Sequence, residues 1–427
     1  MNYLLIQPPA YDFSCHDFWL KPLGLLKLAT LLTGNGHKIH FFDFLDRSAP
    51  DVSEAFRQSR PDGRGKFPSR IVSKPAQFNN VPRYFRRYGR SEKVFESWLR
   101  SIPEPSHILL TCGLSYWAPG IEEVVSTLRQ VLGDVPITVG GILPSLFPAY
   151  VSDLGIEGVS MEKLPGWLKE RGLAMEALMD AAPFWSGYGA LPYLVTRLSY
   201  GCPFHCSYCA VPHLQPGIHR INPQRMAEEI FPSLRPETKH IVFYDDALLF
   251  HVDSLIEFGK ILSISHSLSY HTPNGLACRL VDPSLAVTLK NLNFKTLMLS
   301  LETIDPHVQS ETGGKVSMDD CTHAISHLRE AGFSSRSIQV YLLMGHPSIP
   351  PDKVRRALDA IGKIGVIPIL AEYSPIPGTI DGDRILGPNP MDPMKTNKTY
   401  HLHTWADSTT IQELKDIQLA YSRSVMQ

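Results

Sequence analysis

The 427-residue sequence has no excess of either charge, no long apolar run and few cysteines. With 41 Lys and Arg against 42 Asp and Glu, its formal charge is −1, so there is no global field to draw nucleic acid, whose binding by counterion release needs many cationic contacts. An apolar run of roughly eighteen residues, the length of a membrane helix, is nowhere found. The opening Met1-Asn2-Tyr3-Leu4-Leu5-Ile6-Gln7-Pro8-Pro9 lacks the basic n-region of a secretory leader. A cytoplasmic protein that does not enter membranes is expected. The seven cysteines are an odd number, and Cys202, Cys206 and Cys209 fall within eight residues, which points to metal in a reducing compartment instead of disulfides. Cys15, Cys112, Cys278 and Cys321 are read as core residues. At 43% apolar and 19% charged residues, the chain is globular and long enough for two domains.

Apolar strands and amphipathic helices alternate along it. Strands are expected at 3–7, 38–46, 107–111 and 136–139, with helices at 23–32 and 121–132. This predicts an open, Rossmann-like parallel sheet over 1–185, interrupted by an insertion at about 47–104. A second alternation has strands near 193–199, 240–244, 269–275, 296–302, 338–344 and 367–373. Its helices fall near 223–233, 253–264, 282–292, 317–331 and 351–364. Six such units over 190–380 predict a partial (β/α)6 barrel of the TIM type. A loop around Gly387-Pro388-Asn389-Pro390 and a polar helix near 409–424 complete the chain over 381–427.

After the first barrel strand comes Gly201-Cys202-Pro203-Phe204-His205-Cys206-Ser207-Tyr208-Cys209, a C-x-x-x-C-x-x-C loop. A zinc site would need a further ligand pair, and no C-x-x-C or H-x-x-x-H partner follows. Three thiolates can instead hold three corners of an iron–sulfur cubane and leave one iron open. Here the sequence resembles the radical S-adenosylmethionine (SAM) superfamily, with Tyr208 as the aromatic residue before the third cysteine. The resemblance implies that Cys202, Cys206 and Cys209 bind a 4Fe–4S cluster whose open iron chelates SAM. Reductive cleavage of SAM then yields a 5′-deoxyadenosyl radical that abstracts hydrogen from substrate.

The resemblance covers about 190 to 380. It implies SAM contacts from Phe243, Tyr244, Asp245 and Asp246 after the second strand, and from Asn274 and Arg279 after the third. Ser300 and Glu302 on the fourth, and Met344 and Gly345 on the fifth, complete the set. Acids at the carboxyl ends of strands lie on the active face of such barrels, although Asp245 and Asp246 also suit the cap of the next helix. The chain ahead of the barrel resembles the cobalamin-binding-like domain of many family members, through Gln7-Pro8-Pro9, Pro22-Leu23-Gly24-Leu25-Leu26, Asp43 and Val139-Gly140-Gly141. Gly140 and Gly141 are the implied cofactor contacts. The chain departs from that pattern in lacking D-x-H-x-x-G, and in having Gly158-Val159-Ser160-Met161-Glu162 where G-E-G-E is usual. Side chains at 160 and 161 can crowd a corrinoid, so cobalamin stays open.

From Arg57 to Arg90 ten basic residues stand against Asp62 alone, a local balance of +9, with Phe67, Phe78, Tyr84, Phe85 and Tyr88 among them. A solvated loop, a lid over an anionic substrate and a platform for single-stranded nucleic acid each suit this composition. The expected function is radical chemistry at an inert carbon of a small or medium metabolite, with flavodoxin or ferredoxin as reductant. It is methyl transfer if cobalamin binds, and rearrangement or cyclisation otherwise. A transfer-RNA methylthiotransferase ranks low, because its first domain carries a cysteine cluster of its own. A non-catalytic iron–sulfur electron carrier or redox sensor is the reading from another class. No catalytic residue beyond the cofactor ligands is identified.

Overall fold

The computed structural model describes every residue except 58, 59, 216 and 264–266. Its first layer is a parallel sheet built from β1 (Asn2–Gln7), β2 (Lys38–Asp43), β3 (His107–Thr111), β4 (Ile137–Gly140) and β5 (Glu157–Val159), in the order β5-β4-β3-β1-β2. Helices α1 (Leu23–Gly34) and α2 (Ala118–Leu132) follow β1 and β3. Leu4, Leu5, Ile6, Ile108, Leu109 and Leu110 are all buried, the near-continuous apolar run of strands covered on both faces. Strand β2 stops at Asp43, short of the expected residue 46, because the Asp43 carboxylate accepts the Leu45 N–H at 2.7 Å and turns the chain. Strand order reverses between β1 and β3, which opens a crevice at the carboxyl ends.

The second layer has six parallel strands in two arcs. The first holds β6 (Tyr193–Thr196), β7 (His240–Phe243) and β8 (Ser269–His271); the second holds β9 (Leu297–Glu302), β10 (Ile338–Met344) and β11 (Ile367–Glu372), edged by the short strand Leu276–Ala277. A bridge between Tyr270 and Phe294 links the arcs. Helices α3 (Pro223–Ile230), α4 (Val252–Ser263), α5 (Pro283–Asn291), α6 (Met318–Glu330) and α7 (Pro351–Ile364) cover them. Residue 264 of the expected fourth helix lies outside the described residues. Asp282 caps α5, and Ser317 with Asp320 forms a capping box on α6. The expected first strand breaks after Thr196, since Ser199–Tyr200 turns away to pair antiparallel with His219–Arg220.

The insertion is folded, not a solvated loop. Strands Ala10–Asp12, Ser69–Ile71 and Arg86–Tyr88 form an antiparallel sheet, and Phe67, Phe78, Phe85 and Tyr88 are buried. Arg87 makes a two-pronged pair with Glu123 at 2.8 and 2.7 Å; Arg64, Arg70 and Arg90 pair with Asp62, Glu92 and Asp51. A nucleic-acid platform is therefore not formed by these aromatics, of which Tyr84 alone is exposed. Residues 58 and 59 of this segment are outside the described ones.

Beyond the barrel, α8 (Ile380–Leu386), α9 (Lys398–Trp405) and α10 (Ser408–Met426) fold back on it. The stretch before α9 reaches the first layer, where Asn397 donates to Asp12 at 3.2 Å and Thr396 meets Ser115 at 2.9 Å. Among the described residues, no helix is long and apolar enough to cross a membrane.

Candidate active site

The cysteine loop starts at Gly201, whose φ is +84° and whose Cβ, if it had one, would lie 2.0 Å from the Gly217 carbonyl oxygen. Only glycine lets the two backbones cross there. Cys202, Cys206 and Cys209 are free and half-buried. Burial pushes all three thiols up, Cys209 to about 11, while Lys315 pulls each back down. The Tyr208 hydroxyl is hydrogen-bonded to the Cys206 sulfur. Among the described residues, no three Cys, His, Asp or Glu side chains converge as ligands of one ion do. Corners of a cubane are further apart than ligands of one zinc, so this donor set, with a cation beside it, fits a cluster.

The loop is braced from behind. Asp381 donates its N–H to the Ser207 carbonyl at 3.1 Å and accepts the Ser207 hydroxyl in return. His346 Nε2 also meets Asp381, at 3.0 Å; because His346 Nδ1 accepts the Ser348 N–H, the proton sits on Nε2. On the other flank Gly313 packs on the backbone of His205 and Cys206.

Glu302, at the end of β9, has φ +69° and pairs with Lys315 at 3.0 Å. A left-handed non-glycine residue beside a β-bulge is strained backbone of the kind that gathers at active sites. Burial, and then the Glu302 carboxylate, raise the Tyr208 phenol, so Glu302, Lys315, Tyr208 and the cysteines share one place. Ser300 is buried beneath, and its hydroxyl occupies the space a side chain at Gly275 would need.

After β7, Asp245 is fully buried and accepts the Leu198 N–H and the Ser199 hydroxyl, the latter at 2.7 Å. Asp246 pairs with Arg197 at 3.1 Å and accepts the Gly201 N–H at 3.0 Å. Asn274 donates to the carbonyls of Tyr244 and Asp245, at 3.3 and 2.8 Å. These side chains shape the turn and occupy the carbonyls of Tyr244 and Asp245. Phe243 stacks on Tyr270 and meets Phe258 edge-on in the core, where only its backbone can meet a ligand. The Met344 side chain is buried too, whereas the Gly345 carbonyl accepts from His401 at 2.7 Å. Arg279 is exposed beside the cysteine loop, donating to the Gly314 carbonyl at 3.0 Å and lying 6.0 Å from the Phe204 ring centre.

Gly140 and Gly141 lie across the layer boundary, on a cavity of about 270 Å3 walled by α1, the ends of β3 to β5, and Arg197, Tyr200 and Tyr244 of the barrel. A Cβ on Gly24 or Gly140 would meet nothing within 4 Å, and one on Gly141 only Thr111 at 3.8 Å. The backbone is thus bare toward the cavity. Met161 lines the same space. Lys27 is fully buried there, donates to the Met179 carbonyl at 2.5 Å and lies 5.1 Å above the Tyr200 ring. Burial, and then the Arg197 cation, push its amine down to about 7.

Reading the sequence missed Lys315, Lys27, Arg197 and Asp381. Lys315 had a local sign, a lone cation after the paired glycines Gly313-Gly314; the others act through contacts distant in the chain.

Residues 196–361 match the model of the Radical SAM superfamily. The barrel thus carries a radical SAM domain, whose superfamily implies a 4Fe–4S cluster and SAM. Its structure is similar to that of the radical S-adenosylmethionine methyltransferase TsrM from Kitasatospora setae with tryptophan substrate and a SAM analogue bound. That match has a TM-score of 0.64 at 14% identity, over 90% of this chain and 76% of that one. TsrM with cobalamin and a 4Fe–4S cluster bound gives 0.62 at 14% identity, over 90% and 74%. The cobalamin-dependent S-adenosylmethionine radical enzyme OxsB gives 0.56 at 11% identity, over 94% of this chain and 56% of that one. The likeness shows a shared fold, a Rossmann-like sheet followed by a partial barrel. No curated protein matches the sequence.

Proposed function

We propose that this enzyme transfers a methyl group to an inert carbon of a small metabolite, with a corrinoid in the cavity between its layers. The observation that carries the reading is that cavity, walled by bare glycine backbone at the carboxyl ends of the sheet and closed by the turn after β7. The units are 1–185 as corrinoid domain, 190–380 as radical SAM barrel and 381–427 as closing segment. Cys202, Cys206 and Cys209 hold the cluster; Glu302, Asn274 and the backbone of 243–246, 300 and 345 position SAM. When bound, the cluster supplies the electron that cleaves SAM, and the corrinoid supplies the methyl group. The protein's own work is to dry the site and fix orientation: Asp381 and His346 brace the loop, and the Lys315–Glu302 pair keeps a cation beside the thiolates. Flavodoxin or ferredoxin serves as reductant in the cytoplasm.

The second reading, rearrangement or cyclisation without corrinoid, is favoured by Met161 and Lys27, which narrow the cavity. One experiment separates them. The protein is reconstituted anaerobically with iron and sulfide, given hydroxocobalamin, desalted, and its ultraviolet–visible spectrum recorded. A stoichiometric corrinoid band beside the cluster absorption supports methyl transfer; a cluster without corrinoid overturns it in favour of the second reading.

A further inference from the structure

Half of the barrel interior is filled from the first layer. Phe243 and Tyr270 face the covering helix α4 through Phe258, so the next residue along the strand, His271, faces inward. Trp19 packs on His271 at 4.8 Å, and Asp17 accepts the Tyr193 hydroxyl at 3.0 Å. The segment between β1 and α1 thus turns Asp17 and Trp19 into the barrel. Its alternate residues, His16 and Phe18, are exposed, Phe18 to 47%. Arg64 of the insertion, paired with Asp62, lies 4.9 Å over both the Phe18 and the Trp19 ring.

The other half is open. Helices α7 and α10 cover the outer side of β10 and β11, and Val340 and Leu342 are buried there. Gln339 and Tyr341, which alternate with them, are nevertheless half-exposed. Ile369 and Ala371 pair in register with Tyr341 and Leu343, share that inward face, and are half-exposed as well. Water therefore reaches the inner face of these strands. Tyr341 also stands against Gly275, where a Cβ would lie 3.4 Å from its ring. After burial, Glu302 raises its phenol and Arg64 lowers it, so the open half runs from the Glu302 carboxylate to the insertion.

The rim of this space is cationic. His16 and Lys66 are partners across a short antiparallel pair. Lys66 and Arg60 are exposed, and among the described residues neither is paired with a carboxylate. What cover His16 has, and then Lys66, Arg60 and Lys398, push its imidazole down, with no carboxylate among the charges it feels. Lys398 shares Glu372 with Lys415, at 3.8 and 2.7 Å, so two cations meet one acid there. Asp12, the other acid near Lys398, is buried and occupied by Asn397 and Trp117.

We propose that the open half of the barrel is the substrate chamber and that it takes an organic anion, with an apolar or aromatic body on Phe18 and Ile369 and a carboxylate or phosphate held by Arg60, Lys66 and Lys398. The inference rests on the radical SAM reading and adds the substrate class to it. Like charges gathered without an acid repel one another until an anion offsets them. Lys and Arg hold oxyanions through charge-assisted hydrogen bonds, and an apolar wall with a few convergent charges is the usual make-up of a small-molecule site.

The test uses the full chain, titrated in a calorimeter with phenylpropionate, phenyl phosphate and the neutral phenylpropionamide. The wild type is expected to bind at least one of the anions about tenfold tighter than the amide. The tighter anion names the oxyanion, and either result supports the class. The double variant Arg60→Gln, Lys66→Gln keeps two exposed polar side chains and is expected to lose most of that preference. Ile369→Trp fills the chamber and is expected to bind none of the three. An amide bound as tightly as both anions, or a double variant with the wild-type preference, overturns the anionic class; wild-type binding by Ile369→Trp overturns the chamber. A wild type that cleaves no SAM with dithionite overturns instead the reading on which the inference rests, whatever it binds.

Discussion

At the scale of single residues, the site separates side chains that touch cofactor from those that hold the backbone in place. Cys206 belongs to the first kind. Cys206→Ala is expected to retain the circular dichroism of the wild type, because the loop is anchored by Gly201, Ser207 and Gly313. Bound iron and SAM cleavage should both be lost; full cleavage by this variant would sink the assignment. Glu302 holds a left-handed conformation that costs about 1 to 2 kcal/mol. Such strain persists where the surroundings over-determine it, here the Lys315 pair and the bulge in β9. Glu302→Gln keeps the shape and removes the charge. We expect its SAM dissociation constant to rise about tenfold by equilibrium dialysis, about 1.4 kcal/mol, with iron content unchanged; wild-type affinity would remove Glu302 from the SAM site.

At the scale of elements, α1 has a cost built into its buried face. Lys27 has no exposure, and its amine is lowered to about 7 against an ordinary 10.5. Between those values the unfolded chain binds more protons than the folded one, so this group makes stability rise with pH across that window. Below about pH 7 the penalty is fully present. Lys27→Met, which keeps the stem, is expected to be the more stable protein at pH 7 in urea unfolding. The gap should narrow by about 1.4 kcal/mol per pH unit toward pH 10; a gap independent of pH would mean that Lys27 is not neutral in the fold. Elements of this kind were legible in sequence because period and caps are local. All six barrel strands begin within a residue of where alternation places them, although the first and third stop early, at Thr196 and His271 instead of 199 and 275. What those residues touch was less legible. Phe243 and Arg279 sit at strand-end motifs, yet one faces the core and the other lies exposed beside the cysteine loop. The insertion looked like loop because its aromatics have no period, and its core forms only when three short strands pair.

At the scale of the whole molecule, the two layers are tied by contacts that no local pattern announces, such as Tyr244 bonding the Trp19 carbonyl. Asn397 is another: it caps α9 through the N–H groups of Thr399 and Tyr400, and gives its amide to Asp12, 385 residues earlier. Asp12 is 1% exposed, and burial raises its carboxyl while Lys398 and the Asn397 hydrogen bond lower it. Asn397→Asp keeps the cap but sets a second carboxylate against Asp12. Like charges this close cannot both ionise in a buried site, so the folded variant holds a proton that the unfolded chain releases near pH 4. The folded state then binds more protons than the unfolded one above pH 4, and the stability of the variant falls as pH rises through that range. We expect Asn397→Asp to melt well below the wild type at pH 8, to regain most of the difference at pH 5, and to be cut by protease around residues 387–390 at the higher pH only. Equal losses at both pH values would show that the amide matters for packing alone, and that the closing segment is not held by the Asp12 contact.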